Sequence, residues 1–246
     1  MSLQNRETLK SYFKKGQLPT EGNFNDLIDS LINKIDDGMS KTVDEGLMLS
    51  PIGESKKLLS LYRGIEDKNP IWRIEVEDNN SNLCYTNKLG DTVLSIDDNG
   101  RAGINTAQPE SELDVKGVVS MSGRTGNAYK GKAPADGQWH IIAESLNGCQ
   151  MFEVIAGVGK KKTGKYAMAH AIAISSYGKS KNRIKITRGR YGIWNNRIDF
   201  KWTGSTYNFN LEIRSRINYG DNISICYNIQ KLWHDAFMDE CLSEEE

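Results

Sequence analysis

The chain has 246 residues, with 32 basic against 32 acidic side chains and 38% hydrophobic residues. This length is enough to bury a core, and the charge balance excludes a globally basic nucleic-acid-binding protein, so no nucleic-acid partner is expected. No apolar run reaches the roughly 18 residues of a membrane span, and no apolar stretch follows the first charges, so we expect neither membrane insertion nor a signal peptide.

Residues 1–46 are predicted to form a helical segment that attaches or trimerises the N-terminus. A short helix is expected around Glu7–Lys15, and a second one begins after Thr20, a suitable N-cap, and stops at Gly38. Apolar residues spaced by three and four form one stripe on the second helix: Phe24, Leu27, Ile28, Leu31, Ile32 and Ile35. Because so short an amphipathic helix is unstable alone, this stripe must pack on something, either within its own chain or on another copy.

Residues 47–123 are predicted to be a β-rich, elongated shaft. Short apolar runs at Leu58–Tyr62, Ile71–Val76 and Thr92–Ile96 are separated by clusters of Gly, Asn and Asp, which favour turns. The segment has too little apolar content for a good monomeric core, so we expect it to be stabilised by packing among several chains.

Residues 124–246 are predicted to be an antiparallel β-sandwich or jelly roll, because short alternating strands follow one another with no helical pattern between them. The predicted strands are Gln138–Ala143, Phe152–Ala156, Tyr166–Ser175, Arg183–Thr187, Arg197–Trp202, Asn208–Arg214 and Ile223–Leu232. This part of the chain is also the most basic, since residues 124–218 carry 17 basic and 5 acidic side chains. It therefore presents a positive surface.

The string Gly159–Tyr166 has the glycine and lysine spacing of a phosphate-binding loop, but Tyr166 stands where a magnesium-binding hydroxyl is required. Such a loop also needs a helix after it, and residues 166–174 alternate like a strand. The sequence therefore predicts a lysine-rich hairpin tip and no nucleotide hydrolysis.

The cysteine and histidine residues predict no catalytic or metal site. Four cysteines lack metal or redox spacing and are expected to be free thiols, and three histidines are isolated in the sequence. No cofactor is expected, and we predict that the protein is not an enzyme.

A basic and aromatic region at residues 179–202 holds the candidate ligand-binding residues Arg188, Arg190, Tyr191 and Trp194. Aromatic faces beside cations can stack on sugars and pair with anionic groups. The alternative, which the sequence favours, is that the aromatic side chains belong to the sandwich core and the cations to its solvated face.

Residues 102–117 resemble a segment, roughly VGIGTTxPxxxLDVxG, that recurs in phage tail fibres and related bacterial fibre proteins. The matching residues are Gly103, Ile104, Thr106, Pro109, Leu113, Asp114, Val115 and Gly117. Strings at 5–38 and 135–220 are also similar to fibre-like proteins from phage-related loci of Bacteroidetes-type bacteria. The resemblance implies a homotrimer that belongs to a phage tail or to a contractile injection particle of the same plan.

The first hypothesis is thus a trimeric, fibre-like structural and binding component of such a particle, assembled after synthesis in the cytoplasm. Its expected partners are two further copies, baseplate or other particle proteins, and a cell-surface glycan. The alternative is a stand-alone carbohydrate-binding module or surface adhesin. A polysaccharide depolymerase ranks third, because such enzymes generally need a carboxylate pair in a groove and the predicted sandwich has few acidic residues.

Overall fold

The computed structural model describes residues 4–31, 36–64, 66–77 and 81–242. The chain divides into two compact units, residues 1–120 and residues 121–246, which we call the first and the second unit. The described residues contain sixteen β-strands and two short α-helices, so the prediction of a mainly β protein with N-terminal helices is confirmed. No described helix has both the length and the apolar character that crossing a bilayer requires.

Two helices open the first unit: α1 is Arg6–Tyr12 and α2 is Glu21–Asp29. The predicted N-cap is confirmed, because the Thr20 hydroxyl accepts from the backbone N–H of Asn23 while the Asn23 side chain accepts from that of Thr20. The rings of Phe13 and Phe24 meet edge to face, with centroids 5.7 Å apart. No residue of α2 is buried in its own chain. Of the predicted stripe, Ile32 and Ile35 lie outside the described residues.

A hairpin of β1 (Met39–Thr42) and β2 (Gly46–Leu49) follows, so the last residues of the segment 1–46, which was expected to be helical, form a strand and a turn. Gly38, interpreted from the sequence as a helix stop, instead closes the open end of this hairpin. Its carbonyl accepts from the Ser50 N–H at 2.9 Å, and a Cβ at this position would lie 2.5 Å from the Ser50 carbonyl oxygen.

The rest of the first unit is a six-stranded sheet in which the strands lie side by side in chain order. The strands are β3 (Lys57–Leu61), β4 (Trp72–Val76), β5 (Leu83–Asn87), β6 (Thr92–Ile96), β7 (Ala102–Ile104) and β8 (Leu113–Val115). All neighbours are antiparallel except β7 and β8, which are parallel.

The fibre-like segment forms β7, β8 and the connection between them. The Ser95 hydroxyl donates to the Thr106 carbonyl at 2.7 Å, and a Cβ on Gly103 would lie 2.6 Å from both of these oxygens. Asn105 adopts the left-handed conformation, with φ 57°. Gly103 is therefore required because the returning chain passes directly against it.

The first unit has almost no hydrophobic core. Among the described residues, Cys84 is its one buried hydrophobic side chain, and every other buried hydrophobic residue belongs to the second unit. Large apolar side chains of the sheet stay exposed, including Leu59, Leu61 and Trp72. Burial of apolar surface is the main force that stabilises a fold, so this sheet is weakly supported by its own chain.

The second unit is an antiparallel β-sandwich, as predicted. A five-stranded sheet has the order β13-β12-β11-β16-β9, and a three-stranded sheet has the order β10-β15-β14. The strands are β9 (Tyr129–Pro134), β10 (His140–Leu146), β11 (Cys149–Lys160), β12 (Lys165–Ser176), β13 (Arg183–Tyr191), β14 (Ile198–Gly204), β15 (Phe209–Ser215) and β16 (Ser224–Lys231). Each predicted strand overlaps an observed one, and β9 is the strand that was not predicted.

Side chains from both sheets of the second unit form one continuous core. Phe152 and Val154 of β11 belong to the same buried cluster as Leu211 and Ile213 of β15, and all four are essentially inaccessible to solvent. The sandwich therefore supplies a rigid frame for the charged groups on its outside.

The four cysteines of the chain are free thiols, as expected.

Candidate functional site

The candidate ligand-binding residues lie at the end of β13 and in the connection to β14. Tyr191 is 67% exposed and Trp194 is 58% exposed, so the alternative that placed the aromatic residues in the core is wrong for these two. That alternative is partly right for Trp202, whose ring is partly buried and packs against Phe152 and Phe209 of the core.

Arg188 links the two sheets of the sandwich. Its Nε donates to the Ile198 carbonyl at 3.0 Å, and its Nη2 donates to a carboxylate oxygen of Asp199, also at 3.0 Å. Arg188 lies on β13 and both acceptors lie on β14, and these are the edge strands of different sheets. The predicted ligand-binding role of Arg188 stays untested, and the contacts establish a structural role beside it.

Four guanidinium groups converge on Asp199, and we call them the arginine cluster. The distances from the Asp199 carboxylate are 3.0 Å to Arg188, 3.6 Å to Arg197, 3.6 Å to Arg214 and 3.8 Å to Arg216. The side chain of Asp199 is only 15% exposed. One carboxylate cannot neutralise four cations, so the cluster keeps a local positive charge that attracts a further anion.

Two tryptophan rings border the arginine cluster. Arg197 and Arg216 lie 5.5 and 5.4 Å from the ring centroid of Trp194. Arg214 and Lys201 lie 4.3 and 4.4 Å from that of Trp139. Cation–π attraction holds these long side chains in place and leaves their charges on one face of the three-stranded sheet.

Trp139, Arg214 and Arg216 were missed by the sequence analysis because they are distant along the chain from the basic region. The pairing of β14 with β15 places Asp199 opposite Arg214, and the pairing of β15 with β10 places Ile213 opposite His140, which follows Trp139. The alternation of β15 was visible in the sequence, but its register with β14 was not.

Tyr191 belongs to a different group at the end of the β11–β12 hairpin. Its ring meets that of Tyr166 edge to face, with centroids 6.4 Å apart. The Asn196 side-chain amide donates to the carbonyls of Tyr191 and Gly164, at 2.5 and 3.4 Å. Arg190 precedes Tyr191 and is exposed at the same end of β13. The four predicted residues thus divide between the arginine cluster and this hairpin end.

The lysine-rich string is a hairpin tip, as predicted. Lys160 of β11 pairs with Lys165 of β12, and Lys162 adopts the left-handed conformation in the turn between them, with φ 62°. The residues that follow form a strand of twelve residues rather than a helix. Backbone N–H groups therefore do not converge on a phosphate here.

We expect Lys165→Ala to change the stability of the protein by less than about 0.5 kcal/mol, as surface substitutions usually do. Magnesium and ATP should leave the melting temperature of the unaltered protein unchanged, because a ligand of the folded state must raise it. Differential scanning fluorimetry measures both effects. A nucleotide-dependent rise that disappears in Lys165→Ala would contradict the hairpin interpretation.

Two histidines pair with carboxylates. The His140 Nε2 lies 2.8 Å from Asp136, and this contact holds the pKa of the Asp136 carboxyl below its ordinary value. The His170 Nε2 lies 2.8 Å from Glu153, which also receives two hydrogen bonds from Arg124. Within the part of the chain that the structure describes, no three His, Cys, Asp or Glu side chains lie close enough together to hold a metal ion.

Comparison with known proteins gives little to add to this geometry. No protein-family model matches the chain, and no curated protein sequence matches it. Among solved structures, the tailspike protein of Acinetobacter phage vB_ApiP_P1 is similar, with a TM-score of 0.31 and 10% sequence identity. The alignment covers 52% of this chain and 26% of the tailspike chain, so the matched part spans about a quarter of that tailspike.

Proposed function

We propose that the protein is a homotrimeric, fibre-like component of a phage tail-like or contractile injection particle. In this proposal the first unit assembles with two further copies and with baseplate or other particle proteins. The second unit is displayed toward a receptor or a particle partner. The protein is made in the cytoplasm and acts as a structural and binding protein, without catalysis.

The observation that carries the proposal is the missing core of the first unit. A six-stranded sheet that buries Cys84 as its one hydrophobic side chain, among the residues described, lacks the apolar burial that normally offsets the entropy of ordering a chain. Packing of three copies supplies that burial, since the exposed Leu59, Leu61 and Trp72 would then face neighbouring chains.

The exposed stripe of α2 supports the same conclusion. Phe24, Ile28 and Leu31 follow one another at spacings of four and three residues, and all three are exposed in the single chain. Phe24 also meets Phe13 of its own chain edge to face, whereas Ile28 and Leu31 are each 62% exposed. Contact with another copy or with a particle protein remains as the proposed role.

The experiment that tests this proposal is sedimentation of the purified full chain at micromolar concentration. We expect a single species with the mass of three chains of 27.6 kDa. A folded species with the mass of one chain, with native circular dichroism, would overturn the trimer and with it the fibre role.

A stand-alone carbohydrate-binding module or adhesin is the second candidate. It is favoured by the arginine cluster with its two bordering tryptophans, because this face offers charge and aromatic surface without needing another copy. The two candidates differ in the sedimentation experiment, since an independent module would bind its glycan as a monomer.

A further inference from the structure

The two sheets of the second unit leave a gap between their edge strands β13 and β14. The Arg188 side chain bridges this gap by donating to the Ile198 carbonyl. Farther along the same strands the gap widens into a cleft of about 470 Å³. We call it the edge cleft, and its polar and aromatic lining includes Lys179, Ser180, Asn182, Lys201, Trp202 and Thr203. Its volume is in the range of small-molecule sites.

One wall of the edge cleft is a tightly fixed loop. The Asn182 side chain accepts from the Ser176 N–H at 3.1 Å and donates to the Tyr177 carbonyl at 3.0 Å. The Gly178 N–H donates to the Thr206 carbonyl, and a Cβ on Gly178 would overlap the Ser205 carbonyl oxygen. The wall is therefore formed before any ligand arrives.

The backbone of this loop is also strained. Tyr177 and Lys179 both adopt the left-handed conformation, each with φ 61°, although neither is glycine. Such conformations are unfavourable for residues other than glycine and persist where the surrounding structure enforces them, often at ligand-binding positions.

The charge of the edge cleft is positive. Lys179 is exposed, and it forms no salt bridge within the described part of the chain. Lys201 lies on the opposite wall and is partly neutralised by Glu212, whose carboxylate is 3.0 Å away. No acidic side chain is among the described residues that line the cleft. An anion entering here gains the uncompensated charge of Lys179.

The remaining lining suits a sugar ring. Trp202 and Phe200 provide aromatic surface on the β14 side, and the Asn182 and Ser180 side chains place amide and hydroxyl groups on the loop opposite. Aromatic surface with a few polar groups and a cation at the rim matches a pyranose that carries a carboxylate.

We propose that the edge cleft binds the carboxylate-bearing sugar residue of an acidic polysaccharide. The sugar carboxylate pairs with Lys179, its hydroxyls bond to Asn182 and Ser180, and its ring lies over Trp202. This inference rests on the proposed function only in that the displayed second unit is taken to contact a surface glycan.

Cations that continue from the edge cleft favour a polymeric ligand. The Trp139 ring is contacted both by Lys201, at the edge cleft, and by Arg214 of the arginine cluster. Further acidic residues of the same polysaccharide can therefore continue from the cleft along this face, where the arginine cluster holds excess positive charge.

The test is binding of the full chain to immobilised oligosaccharides at low and high salt. The acidic probes are hyaluronan tetrasaccharide, trigalacturonic acid and 3′-sialyllactose, and the neutral probes are chitotetraose and lactose. We expect at least one acidic probe to bind in a salt-dependent way while the neutral probes do not. Lys179→Gln should weaken that binding about tenfold or more, as expected for loss of a charge-assisted bond.

Lys181→Gln is the matched control, because Lys181 is an exposed lysine of the same loop and does not line the cleft. The inference is overturned if no acidic probe binds, if neutral probes bind equally, or if the two variants lose equal affinity. Sedimentation of the same samples separates the two proposals. A trimer that binds no acidic probe overturns only the edge cleft, and a monomer that binds one through Lys179 overturns only the trimeric fibre.

Discussion

Ile28→Asp is expected to dissociate the trimer at concentrations where the unaltered protein remains assembled, while the second unit stays folded. Ile28 is 62% exposed in the single chain, so the new carboxylate costs little within one copy. At a contact between copies it would be buried without a partner, at a cost of about 3 kcal/mol or more per chain. Sedimentation across a nanomolar to micromolar concentration series measures the shift.

Asn25→Asp is the control for this experiment, since it introduces a carboxylate at an exposed position of α2 outside the stripe. We expect the Asn25→Asp protein to assemble like the unaltered one. If both variants assemble equally well, α2 is not the contact between copies, and the role of the exposed stripe would have to be sought with a different partner.

Phe152→Ala is expected to destabilise the second unit by about 3–5 kcal/mol. Phe152 is 0% exposed, and its ring lies between those of Tyr129 and Trp202, at centroid distances of 5.9 and 6.2 Å. Removing it opens a cavity where the two sheets meet, and the rigid strands around it can collapse only in part. Urea unfolding followed by tryptophan fluorescence measures the loss, because four of the five tryptophans belong to the second unit.

The matched control is Ile155→Ala, three residues along the same strand on the outer face of the sheet, where the side chain is partly exposed. Its cost should be about 1 kcal/mol or less. Equal losses for the two variants would mean that the core between the sheets is not packed as described.

The strands of the second unit were predictable because period-two alternation follows directly from burial of one face of each strand. β9 was not predicted because Gly131 and Pro134 interrupt its alternation of apolar and polar residues. The structure tolerates both residues on this edge strand, where Gly131 makes room for the hydroxyl of Tyr227. The β1–β2 hairpin was not predicted because a glycine such as Gly38 is typical both of the end of a helix and of the end of a hairpin.

The candidate site was predictable only in part for a physical reason. A charged or aromatic residue can be recognised in the sequence, but its partners depend on strand register, which long-range packing decides. Thus Arg188 and Trp194 were identified, whereas their connection through Asp199 and Arg216 was not. The edge cleft was beyond prediction as well, since it depends on two sheets failing to join at β13 and β14.

The strand order of the five-stranded sheet has a consequence for how the protein is synthesised. β16 lies between β11 and β9, so residues 224–231 must leave the ribosome before β9 finds a neighbour. The β11–β12 hairpin can form early from contacts that are close in sequence, but one side of β11 then stays unpaired until β16, which begins at Ser224, 48 residues after β12 ends at Ser176. Nascent chains interrupted within this interval display an open, apolar strand edge, which makes them targets for aggregation or for chaperones.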